Sequence, residues 1–351
     1  DQVHDKAHGY AVASRLALAL WDSIPDTRLL EAAAAGRLAS KEQVAAGAER
    51  MAADPRARSK LREFLLTWLE IERIRDLSKD TSKYPGFDAA VASDLRSSLD
   101  LFLDEIIASE KADFRELLRA NYVHLNGRLA KFYGVDLPAD APFQKIELDA
   151  GKRAGVMTHP YVLAGFAYQA TSSPIHRGVL MARNVFGRAL RPPPEAVVPL
   201  APELHPDLTT RQRVALQTSA QACQRCHVLV NSLGFALENF DAVGRFRDQE
   251  QGKPVDATGA YQTRKGELAK FDGAKQLADY AALSEDAHTA VVEQMFHFLV
   301  QQPVFAYGDR TVDELKRSFV QNEFNLRKLS VAIAVASALQ SDEKPVRPPE
   351  P

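Results

Sequence analysis

The sequence predicts a mainly α-helical protein built as several helical blocks around a central segment that carries both cysteines. Three observations carry that expectation. Apolar residues recur at helical spacing through most of the 351 positions, start and stop residues bracket those runs, and one stretch, Asp136 to Arg153, reads as loop and short hairpin. The length and a hydrophobic content of 46% suffice for one large core or two to three smaller ones.

In the first block, "GYAVASRLALALWDSI" has apolar residues at helical spacing, and "SIPDTRLLEAAAAGRL" starts a second helix at Pro25/Asp26 and stops it at Gly36. Ser40 and Gln43 stand at capping-box spacing before the next helix. Pro55 opens a fourth, on which Leu61, Phe64, Leu65, Trp68 and Leu69 form one stripe. An amphipathic run follows over Ala89 to Ser109, and "DFRELLRANYVHLNGRLAKFYGV" reads as a short helix with its packing partner. Residues 1–135 are thus expected as an N-terminal helical domain.

The central domain is expected over residues 136–262. Ser173 and Pro174 suit the N-cap and first helical position of a helix ending near Gly187. Pro192 to Pro194 form a stiff, extended, Pro-rich connector. Helix resumes through "LTTRQRVALQTSAQACQRCH" with Thr209 or Thr210 as cap. Helical patterns at 274–283, 285–302, 311–320 and 325–340 fill a C-terminal domain over 263–340, and "SDEKPVRPPEP", residues 341–351, reads as an extended polar tail.

Composition narrows the function classes. A formal net charge of −2, with Lys and Arg interleaved among Asp and Glu, gives no basic field for nucleic acid. The longest apolar stretches, "EFLLTWLEI" and "VAIAVASAL", fall short of the roughly 20 residues that cross a bilayer. The opening "DQVHDKAHGY" has no Met and is expected to be the start of a trimmed product.

The motif with chemical content is Cys223-Gln-Arg-Cys226-His227, which holds the only two cysteines of the chain. CxxCH is the attachment pattern of a c-type haem. At i and i+3 on one helical turn, Cys223 and Cys226 can each form a thioether with one porphyrin, and His227 can turn its imidazole to the iron as proximal ligand. A redox dithiol would sit near a βαβ pattern, and a zinc site would need two more Cys or His at paired spacing. The expected cofactor is therefore one covalent haem c. Because such attachment takes place outside the bacterial cytoplasm, the expected location is periplasmic or exported.

The segment "CQRCHVLVNSLGFALENFDAVGRFR" resembles the haem segment of the planctomycete-type cytochrome c proteins, a bacterial group built from successive domains of unknown function. The flanks are similar too: "RLALALWDSIPDTRLLEAAAAGRL" with "MAADPRARSKLREFLLTWLEI", "SSPIHRGVLMARNVFGRALRPPP", and "FHFLVQQPVFAYG" with "LKRSF". The family usually has Asp-Pro or Asn-Pro before "LGF", where this chain has Asn231-Ser232, which bears on the stiffness of the turn expected after the haem helix. The resemblance implies a haem protein with an electron-transfer role and names no substrate.

Leu229, Leu233, Phe235, Leu237 and Phe240 are expected to supply the apolar slot that haem faces need, unless they are ordinary core. Arg245 and Arg247 are expected as propionate partners, unless they are solvated surface charges. Gly234 and Gly244 permit turns or close approach, and Glu238 and Asp241 read as cap or salt-bridge residues before an acid pair. For the sixth iron position, His297 and His159 lead, His176 follows, and Met157, Met181 and Met295 are weaker. The resemblance keeps His297 in play, since the similar branch of the family carries histidine there.

Two protein ligands on the iron favour electron transfer, and an open position admits peroxide or oxygen. The function expected is thus a monohaem electron-transfer cytochrome working with redox partner proteins. The alternatives are a haem enzyme of peroxidase or oxygenase type, and a haem-stabilised module of a larger exported assembly or homo-oligomer.

Overall fold

The computed structural model describes residues 2–190 and 205–340. The expected connector at Pro192 to Pro194 and the expected tail at 341–351 lie outside the described residues. The protein is mainly α, with helices α1 to α15 and three two-stranded antiparallel sheets among the described residues. No described helix is long and apolar enough to cross a membrane.

The chain divides into two compact units that do not follow the sequence in contiguous blocks. One unit collects the residues up to Trp68, the segment Glu105–Phe114 and the residues from His288 on. The other collects Leu69–Asp104 and Arg115–Ala287. Each of the expected terminal domains, 1–135 and 263–340, is thereby shared between the units.

In the first unit, α1 (Gln2–Trp21), α2 (Thr27–Ala34), α3 (Lys41–Ala52) and α15 (Leu326–Ala338) enclose a core that includes Val12, Leu16, Leu20, Leu29, Val44, Met51 and Ala334. The local signals act as their chemistry demands. Asp26 caps α2 by accepting from the Leu29 amide, and Ser40 and Gln43 close a capping box at α3. The stripe on α4 (Pro55–Trp68) buries Leu61, Phe64, Leu65 and Trp68, with Phe64 against Phe298 at 5.6 Å.

The second unit departs further from the sequence expectation. After α5 (Ala89–Ala108) and α6 (Phe114–Arg119), Tyr122–Leu125 is a strand, β1, and pairs with β2 (Gln144–Glu147) across α7 (Gly127–Tyr133). The expected local hairpin within 136–153 is thus half of a longer-range pair. A short helix α8 (Pro160–Gly165) follows His159, and α9 (Pro174–Leu180) starts at the Ser173 cap and runs into a π-helical turn, Met181–Val185.

The single helix expected through residue 227 is two helices, α10 (Thr210–Gln217) and α11 (Gln221–Phe235). The first ends at Thr218, whose hydroxyl turns back onto the Val214 carbonyl, 2.8 Å away, and Ala220 is extended. No turn follows the CxxCH motif at Asn231-Ser232, because α11 continues through both residues to Phe235. Proline at 232 would remove a helical N–H, and serine keeps it.

Beyond α11 come a minimal pair, β3 (Gln249–Glu250) with β4 (Lys253–Pro254), and a hairpin of β5 (Thr258–Gln262) with β6 (Leu268–Asp272). The hairpin straddles the expected boundary at 262/263 and precedes the helix α12 (Gly273–Leu283). β5 packs on α11: a Cβ at Gly259 would fall 2.3 Å from the Ser232 carbonyl oxygen. The chain then enters α13 (Glu285–Val300), which ends in the first unit, where α14 (Thr311–Gln321) precedes α15.

Candidate haem-attachment site

Helix α11 is fixed from behind by α9. A Cβ at Gly178 would lie 1.9 Å from the Val230 carbonyl oxygen, and one at Gly234 would lie 1.9 Å from that of Pro174. The two helices therefore meet backbone to backbone, antiparallel, at two glycines that only glycine can occupy. Arg177 completes the clamp. Fully buried, it donates to the carbonyls of Leu237 and Phe240 at 3.1 and 2.6 Å and to those of Leu163 and Asp241 at 3.1 and 2.6 Å.

Forward of this clamp the helix opens to solvent. Cys226 is exposed, Cys223 half-buried, and both are free thiols one helical turn apart on α11. Val228, two residues after Cys226, is 63% exposed, and Leu216 on α10 is 50% exposed.

His227 is oriented by a directed chain of hydrogen bonds. The Thr218 hydroxyl has one proton and gives it to the Val214 carbonyl, so its oxygen accepts from Asn231 Nδ2 at 2.8 Å. That sets the amide: Asn231 Oδ1 faces His227 Nδ1 at 2.9 Å and accepts from it. The imidazole proton is held on Nδ1, which leaves the Nε2 lone pair with no hydrogen bond among the described residues.

This donor set fits a c-type haem: two thiols at i and i+3, and a tautomer-locked imidazole next in sequence whose Nε2 is available to a metal. Among the described residues there is no group of three or more His, Cys, Asp or Glu that could hold a metal ion by itself. Among the described residues, Cys223 and Cys226 thus have no third and fourth protein partner of the kind a structural zinc site requires.

The other residues named from sequence fall elsewhere. Leu233, Phe235, Leu237 and Phe240 are buried in the core, Phe240 against Phe246 and Phe235 beneath the Arg211 guanidinium. Leu229 alone of that set is half-buried on the open part of α11. Arg247 binds Glu238 Oε2 at 2.9 Å and Glu250 Oε1 at 3.2 Å, and Arg245 donates to the Phe132 carbonyl at 2.8 Å over that residue's ring. Both guanidiniums therefore have partners within the protein. Burial raises the pKa of Glu238, against the pull of Arg247 and Arg177, and burial holds Arg177 down to about 10. Asp241 Oδ1 accepts from the Val243 and Arg245 amides in a turn where Gly244 has φ +79°.

The three histidines separate clearly. His159 is fully buried as the cap of α8, its Nδ1 accepting from the Tyr161 amide and its Nε2 paired with Ser98 at 3.3 Å. Burial, with the charge of Arg153 and the neighbouring His124, pushes its pKa down to about 3. Neither nitrogen is available. His176 lies two residues from both Pro174 and Gly178, which face α11, so helical geometry turns it away, against Tyr168 at 5.2 Å. His297 is exposed on α13, while Met157, Met181 and Met295 are buried. Sequence reasoning missed Thr218, Asn231 and Arg177 as site-shaping residues. An Asn four positions after a His on one helix face was the signal for Asn231.

Comparison with known proteins places two segments. Residues 8–135 match the family model described as PSD4, a protein of unknown function (DUF1592), and residues 153–250, which include the motif, match PSCyt3, a protein of unknown function (DUF1588). Both models are of the planctomycete cytochrome c-associated families. No curated protein and no solved structure matches the chain.

Proposed function

We propose that this protein is a monohaem c-type cytochrome that passes electrons between redox partner proteins outside the bacterial cytoplasm. The observation that carries the reading is His227, held by Asn231 with its Nε2 free, directly after two free thiols on one helical turn. The match of the surrounding segment to a cytochrome c-associated family supports it.

Cys223 and Cys226 would hold the porphyrin covalently and His227 would be the proximal ligand. When bound, haem c supplies a one-electron couple. The chain's own part is positional: Asn231 fixes the imidazole plane, and the glycine contacts hold the rear of α11 against α9. Of the histidines named for the sixth position, His159 and His176 are disfavoured by their engagement and direction, and His297 keeps an exposed ring.

The test is expression with a haem-attachment system. The expected product keeps its pigment through acid–acetone extraction, gains the mass of one haem and shows a low-spin ferric spectrum. Pigment that separates from the chain rejects the reading. A high-spin ferric form that binds cyanide quickly and turns over peroxide moves it to the haem-enzyme class.

A further inference from the structure

We infer that Asn231 and Thr218 form an outer-shell relay that fixes the ligating tautomer of His227 and sets the reduction potential of the iron; the inference rests on the reading of the motif as a haem site. Asn231 lies one helical turn after His227 on the same face of α11, and both it and Thr218 are buried. A buried amide is costly unless its polar ends are satisfied. Here Oδ1 serves His227 at 2.9 Å and Nδ2 serves Thr218 at 2.8 Å.

The break between α10 and α11 makes the relay possible. It places Thr218 at the end of α10, where its hydroxyl closes on Val214 and presents its oxygen to Asn231. The chain of bonds ends on a neutral backbone carbonyl. The imidazole is therefore oriented by an acceptor of no charge, and its Nδ1 proton stays on the ring. A carboxylate at 231 would draw on that proton, raise the basicity of Nε2 and favour the ferric state. An apolar residue there would leave Nδ1–H without its acceptor and favour the ferrous state.

The experiment measures the reduction potential of the holoprotein and of Asn231→Asp, Asn231→Leu and Thr218→Val, each checked for covalent haem by its pyridine haemochrome spectrum. Asn231→Asp is expected to shift the ferric-to-ferrous equilibrium about tenfold toward ferric, or 59 mV for one electron. Asn231→Leu is expected to move it the other way by a similar factor, and Thr218→Val in the same direction by less. A merely structural role would lower stability and leave the potentials together. The relay is overturned if Asn231→Asp and Thr218→Val carry covalent haem at the parent potential, a decision that stands even if Asn231→Leu fails to fold. A parent chain that acquires no covalent haem fails at a different point: it rejects the haem reading, and the relay with it.

Discussion

The two ends of α11 are built to opposite rules. From Val230 onward the helix is locked: Gly234 and Gly178 bring its backbone onto α9, Leu233 and Phe235 fill the core, and Arg177 gathers the carbonyls that follow. From Gln221 to Val228 it carries two free thiols, a half-buried imidazole and an exposed valine. A packed rear makes a rigid mount, and an open front leaves reactive groups accessible. The difference teaches that the exposed reactive groups of this helix lie in its first two turns, while Leu233 and Phe235 downstream fill the core.

The comparison can be broken first at the rear. Arg177→Met should destabilise the protein by about 3–5 kcal/mol, because four carbonyls lose their donor and Glu238 keeps only Arg247 as a close cation. A fall in the urea midpoint of that size, read by circular dichroism, is the expected result, and a change within experimental error would show that the clamp is not structural. Gly234→Ala comes next. Its methyl group would meet the Pro174 carbonyl and force the helices apart, at a cost of about 1–3 kcal/mol in thermal or urea unfolding. The front should respond least. Cys223→Ser with Cys226→Ser should change the stability of the haem-free chain by no more than about 0.5 kcal/mol, yet abolish covalent pigment altogether. A large loss of apo stability would place the thiols in the core after all.

How far the sequence foretold this depends on how local each signal is. The Ser40/Gln43 capping box and the Ser173 cap with Pro174 were legible because four consecutive residues contain the whole interaction. The thiols and His227 were legible for the same reason. β1 and β2 were only half legible, since Tyr122 pairs with Glu147 across an intervening helix and no window near either residue contains the other. The hairpin strand Leu268–Asp272 is short, and its alternation resolves into one buried residue, Phe271. Arg247 read as a propionate partner because a guanidinium pairs carboxylates. It does so here, with Glu238 and Glu250, whose proximity is a tertiary fact. The break at Thr218 lay within a run of helical pattern and leaves no mark on apolar periodicity.

That break has a consequence for how the protein could be matured. Because α11 begins afresh at Gln221 behind an Ala220 that offers no side-chain cap, its first turn lacks about 1 kcal/mol of the stabilisation that a Ser or Asp would provide. Fraying is cheapest at such an end. The turn that unwinds first carries Cys223, while Cys226 and His227 follow within the next turn and the glycine contacts begin only at Val230. On the proposed haem reading, an enzyme joining the cofactor to these thiols would act on the first two turns of one helix, ahead of the glycine contacts with α9.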